Sequence, residues 1–246
     1  MKKNFFLLAL SVFSLFFSTT CGLDTYYYLN PPPAYLWYPS VSMADKAQKY
    51  FDFYPATYTS SDSSFLFLGT AVYYRIYANL STMNSHISSI SSVNTSSDYS
   101  AAAIRMIGYG YQQLYTSDGS VQPLISSLYK NVSVRIRLTN NVESVSSGIG
   151  NAAQITVINK VPRRALGVNK TFDFGRYEDP AYAAHKDNYA PPVSGDEDFE
   201  AGTVTDKKYY VNMYAVAVGR DTTYTTYYSN VLHLGSIMID AGVVDN

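Results

Sequence analysis

The chain has 246 residues, with 18 Lys and Arg against 19 Asp and Glu, so its formal net charge of −1 offers no basic surface to a polyanion. Only 15% of residues are charged while 25 are tyrosines, a composition suited to strands with one apolar and one wet face. A single cysteine excludes an intrachain disulfide, and with three histidines far apart it leaves no zinc-ligand spacing.

MKKNFFLLALSVFSLFFSTT opens the chain. Lys2 and Lys3 are basic, Phe5 to Phe17 are almost wholly apolar, and Ser18, Thr19 and Thr20 are small, the order of a secretory signal. The apolar run is about 13 residues, short of the roughly 20 that span a bilayer. FFSTTCGLD then presents Cys21. This stretch resembles a bacterial lipoprotein signal, with Ser18 and Thr20 where Leu and Gly or Ala are usual. The resemblance implies a signal peptide over 1–20, acylation of Cys21, and a lipidated tether over 21–30 ending at Pro31. The expected partner is then a membrane of the bacterial cell envelope, the outer membrane or cell surface before the inner membrane. The other reading is ordinary cleavage beside an incidental thiol.

Further elements follow in order. Lys49 to Tyr54 alternates and stops at Pro55, as a strand does; Thr59 to Ser64 reads as a loop. Phe65 to Ala78 is the strongest strand of the first half, with Val72, Tyr74 and Ile76 on one face and Tyr73, Arg75 and Tyr77 on the other. Ser81 to Asn94 carries Met83, Ile87 and Ile90 at helical spacing. Asp98 to Leu114 begins with an N-cap residue and an alanine run, and Ile104, Ile107 and Tyr111 form its apolar stripe. Val132 to Leu138 and Gln154 to Asn159 return to strand character, 170–198 is mostly loop, and Lys208 to Val218 and Tyr227 to Leu234 are two closing strands.

Pro33-Ala34-Tyr35-Leu36, Phe67 to Tyr74 and Tyr209 to Ala215, with Gly219 and Ser229 to Val231 after them, resemble the first, third and late strands of fibronectin type III domains. Phe53 stands where such domains usually keep a core Trp, and Thr70 where the third strand keeps a Tyr. FLGTAVYYRIY before a Ser-rich helix is also similar to spirochaetal, Treponema-type, exported lipoproteins. The resemblance implies a mainly β fold: an antiparallel fibronectin type III-like β-sandwich over 31–235 with a large mixed α/β insertion at about 79–204 packed against one end, and a C-terminal tail over 236–246. In the alternative architecture the middle third folds alone.

No reaction motif emerges. Gly148 to Ala153 matches the letters of a dinucleotide fingerprint, but a strand pattern follows where a helix is needed. There is no G-x-S-x-G elbow, and no catalytic, cofactor-binding or metal residue is assigned. The acidic run at Glu197, Asp198 and Glu200 reads as a solvated loop rather than a calcium site, and Arg163-Arg164 as solubilising. Tyr35, Trp37 and Tyr38 read as packing residues, with sugar stacking as the alternative. Tyr224, Tyr227 and Tyr228 flank a turn and form the expected contact patch, because tyrosines bury area at small entropic cost. The leading expectation is a non-catalytic binding or structural lipoprotein with a protein or glycan ligand. Its competitor is an exported carbohydrate-active or glycan-binding protein using Asp173, Glu178 or Asp179.

Overall fold

Two long strands, β3 (Phe65–Tyr77) and β10 (Lys208–Asp221), form the centre of the molecule. The computed structural model describes residues 27–42, 48–59, 62–95, 97–116, 123–138, 155, 158, 162–164, 172, 192–202 and 208–240. β3 and β10 are antiparallel neighbours, with Ile76 opposite Val211, Tyr74 opposite Met213 and Val72 opposite Ala215. β11 (Thr226–Asp240) returns along the other side of β10. The two segments expected to share one β structure are thus hydrogen-bonded partners. β11 runs to Asp240, past residue 235 where a tail was expected to begin, because Ile237 and Ile239 still face the core.

Three short strands tile the other edge of β3 in succession. β6 (Ile125–Ser126) pairs at Gly69 and Thr70, β4 (Gln112–Gln113) at Tyr73 and Tyr74, and β9 (Phe199–Glu200) runs parallel at Ile76 and Tyr77. Gly69 makes the first of these contacts feasible. It has φ +141°, and a Cβ there would lie 2.1 Å from the Ile125 carbonyl oxygen.

The second sheet has the order β1 (Tyr35–Trp37), β2 (Tyr50–Phe53) and β7 (Val134–Arg137). Its inward residues Phe51, Phe53, Val134 and Ile136 join Val72, Tyr74, Ile76, Met213, Ala215 and Ile237 of the large sheet in one apolar cluster. Each Val, Ile, Phe or Met side chain among them contributes about 1.5–3 kcal/mol when fully buried. Phe53 fills its place in this core completely. Thr70 is equally buried, and its Oγ1 accepts the Ala56 N–H at 2.8 Å. β7 lies within 79–204, so that interval is not a self-contained insertion: part of it completes the small sheet.

Helices α1 (Leu80–Val93) and α2 (Ala101–Gly108) cover the opposite face of the large sheet. Asn79 starts α1 by accepting the Ser81 and Thr82 N–H groups on Oδ1. Met83 and Ile90 are buried, as their spacing predicts. Of the expected stripe only Tyr111, past the end of α2, is buried; Ile104 and Ile107 turn outward, Ile104 at 61% exposed, while Ala102, Ala103 and Met106 are buried. Alanine's small side chain lets α2 lie close on β11 and on α1, in the cluster that holds Val231 and Met83, so it makes the contact the isoleucines were expected to make. Both faces of the central strands are therefore covered. The expectation of a polar outward face, and of helices packed only at one end, is corrected: the helices form a third layer.

At the end of the large sheet where β3 begins, a third apolar cluster holds Leu29, Ala56, Phe65 and Ala217. Leu29 is 1% exposed. The Tyr27 ring stacks on Phe65 at 4.5 Å, meets the edge of Tyr227 at 5.4 Å, and its hydroxyl lies 2.6 Å from Ser64 Oγ. The segment expected as a tether to residue 30 is thus held to the domain at Tyr27 and Leu29, while Tyr28 and Asn30 are exposed.

Candidate functional site

Cys21 lies outside the described residues, as do Asp173, Glu178, Asp179, His185 and Gly148 to Ala153. The three tyrosines of the expected contact patch are described, and they separate. Tyr224 stands at the β10–β11 turn, 75% exposed, with φ +67° and the Arg220 guanidinium 4.9 Å from its ring centre. Tyr227 packs into the cluster of Tyr27 and Phe65 and donates to Asp221 Oδ2. Tyr228 packs on the helical side and hydrogen-bonds Tyr73. Consecutive strand residues point to opposite faces, so Tyr227 and Tyr228 cannot share one exposed surface. Only Tyr224 is free for contact. The β10–β11 turn itself is held by Asp221, whose Oδ1 accepts the N–H groups of Thr223 and Thr225, both at 2.9 Å.

A second cluster is buried. Asp198 is wholly inaccessible, and Arg164, just after β8 (Pro162–Arg163), is 2% exposed. Arg164 Nε donates to Asp198 Oδ2 at 2.8 Å, and Nη2 to Asp198 Oδ1 at 2.6 Å and Asp196 Oδ2 at 2.8 Å. The Tyr74 hydroxyl donates to Asp198 as well. Burial alone would lower the arginine pKa, but the bonds to Asp198 and its charge outweigh it and raise it. The reading of both segments as solvated is corrected for Arg164 and Asp198, while Glu197 is exposed as expected. Opposite charges brought together across 34 residues neutralise one another, which is why each tolerates burial. The pair fixes the segment after β8 to the one before β9, against the central strand. β8 in turn pairs with β5 (Tyr115–Thr116).

Two histidines are also built in. His233 Nε2 accepts from Asn212 Nδ2 at 2.6 Å, since an amide N–H only donates, and Nδ1 lies 3.0 Å from the Tyr38 hydroxyl. Asn212 Oδ1 accepts from Tyr111 at 2.6 Å. Burial pushes the His233 imidazole down to about 4, keeping it neutral. His86 stacks on Tyr109 at 4.0 Å and bonds Tyr77, with its pKa lowered by burial; the nearby Glu200 is taken up by Arg75. These polar groups tie helices and strands together. Nothing in the residue pattern distinguishes Asp198 or His233 from surface residues; only Val231, Leu232 and Leu234 around His233 hint at burial.

Among the described residues no three His, Cys, Asp or Glu side chains converge as metal ligands, and no helix is long and apolar enough to cross a membrane. No protein-family model, no curated protein and no solved structure matches the chain.

Proposed function

We propose that the protein is a lipid-anchored exported lipoprotein of the bacterial cell envelope. In this reading its fibronectin type III-like domain has a non-catalytic binding or structural role. The observation that carries it is the order of basic start, short apolar run and lone Cys21, followed after only a few residues by packed structure at Tyr27. Two or more acyl chains on Cys21 give firm attachment, since each buried methylene adds about 0.8 kcal/mol.

The strand order supports the sandwich part of the reading. The first two strands share the small sheet with β7, while β3, β10 and β11 share the large one. Immunoglobulin-type sandwiches divide their strands in the same way, and fibronectin type III domains share that architecture. Phe53 and Thr70, at the two positions where the pattern departs, are both buried, which is compatible with the reading. The helical layer is then an addition to such a domain, inserted after its third strand.

Metabolic labelling with a palmitate analogue tests the anchor. The wild type should carry the label and sediment with membranes; Cys21→Ser should lose both. Equal labelling of the two proteins would refute the proposal.

A further inference from the structure

We infer that the end of the domain carrying Leu66, Arg220 and Tyr224 rests on the lipid bilayer, with Tyr224 seated among the headgroups. This rests on the lipid-anchor reading above and deepens it. The decisive quantity is tether length. Tyr27 is six positions after Cys21, and six extended residues reach at most about 20 Å. Tyr27 is fixed to Phe65, Ser64 and Tyr227, so the anchor enters at the end of the sheet where β3 starts and the β10–β11 turn lies. β3 alone is about 40 Å long at 3.3 Å per residue. Its far end therefore cannot be drawn to the membrane by so short a connection.

The near end is made for such a surface. Tyr224 is 75% exposed and Leu66 57%. Leu66 is the cross-strand partner of Arg220, whose guanidinium lies against the Tyr224 ring, so the three form one continuous patch. Tyr224 also holds φ +67°, a conformation that costs a bulky side chain energy and that glycine would adopt freely. An exposed aromatic ring kept at a strained turn points to a contact for that ring. Tyrosine, with an apolar body and a polar tip, suits the boundary of hydrocarbon and water. The two carboxylates at this end are occupied locally: Asp62 by Ser64, Asp221 by Thr223 and Thr225. Both stay charged and outnumber Arg220, so the contact rests on the aromatic and apolar groups and needs no anionic lipid.

Acylated full-length protein in phosphatidylcholine vesicles that carry a headgroup nitroxide tests this. Acylation consumes Cys21, so Thr222→Cys and Ala201→Cys each offer one free thiol for a fluorophore, the first beside Tyr224 and the second just past the far end of β3. Position 222 should lose most of its emission and position 201 little, with no gain on adding anionic lipid. Adding Tyr224→Ser and Leu66→Ser to the 222 variant should restore much of the emission. Equal quenching at both positions, or stronger quenching at 201, overturns the inference while leaving the anchor intact. If Cys21 takes up no palmitate analogue, the anchor reading fails first and the docking surface falls with it.

Discussion

Asn94 and Val231 exchange two hydrogen bonds across 137 residues: Asn94 Nδ2 donates to the Val231 carbonyl at 2.9 Å, and the Val231 N–H donates to Asn94 Oδ1 at 3.0 Å. Asn94 ends α1, and its amide takes the place of a neighbouring strand at the outer edge of β11. The same edge is met at Met238, whose N–H donates to the Val41 carbonyl, and at Gly235, where Pro39 lies against the backbone. A long edge strand is thereby kept from pairing with another chain. Asn94→Ala should cost about 1–3 kcal/mol, because two partly buried backbone groups lose their partner. Urea unfolding gives the loss, and hydrogen exchange should show faster exchange of the Val231 amide. Asn94→Asp keeps the acceptor and loses the donor, so its amide exchange should stay nearer the wild type.

The buried Arg164–Asp198 pair makes a sharper prediction. Asp198→Ala should destabilise by about 3–5 kcal/mol, since it strands a guanidinium in the interior. Replacing both residues with apolar ones of similar size should recover much of that loss. A single Asp198 variant as stable as the wild type in chemical denaturation would show that the pair is not buried as described.

Tyr224 and Tyr227 should part company. Tyr224→Gly removes the exposed ring and relieves the positive φ, so stability should hold or rise by up to about 1 kcal/mol. Tyr227→Ser removes a ring packed on Tyr27 and Phe65 and should lower the melting temperature clearly. Thermal unfolding of the two variants side by side checks both.

The pH dependence follows from His233. Its imidazole is held at about 4, below the ordinary 6.5, by burial among Tyr38, Tyr214 and Asn212. The unfolded chain therefore binds a proton that the folded one refuses between these values. Stability is full above about 6.5 and falls as the pH drops toward 4. His86, also lowered by burial, acts with the same sign. His233→Gln should flatten the fall in melting temperature across this window; an unchanged slope would place its origin elsewhere.

The central strands were legible because β3 and β10 alternate strongly, and the face holding Val72, Tyr74 and Ile76 is the inner one. The covering of their other face was not, since Tyr73, Tyr77 and Tyr214 suit a half-wet surface as well as a helix contact. Helix α2 was legible as a helix but not in orientation. Its buried face is made by alanines, which carry little hydrophobic signal. Arg163-Arg164 and the acidic run each have the pattern of a solvated segment when taken alone, because charges far apart in sequence show no sign that they will meet. The expected tyrosine patch treated neighbours along the chain as neighbours in space, which strand geometry forbids for Tyr227 and Tyr228.

The pairing of β3 with β10 carries a consequence in time. Tyr74 and Met213, cross-strand partners at the heart of the sheet, come from opposite thirds of the chain. The β10–β11 hairpin is local and can form quickly, whereas β3 has only two-residue partners until that hairpin exists. One long edge of β3 therefore stays open through most of synthesis, and the sheet closes late and in one step. The contacts that lock the sheet thus form only after nearly all of the chain has emerged, an order that suits the export proposed above.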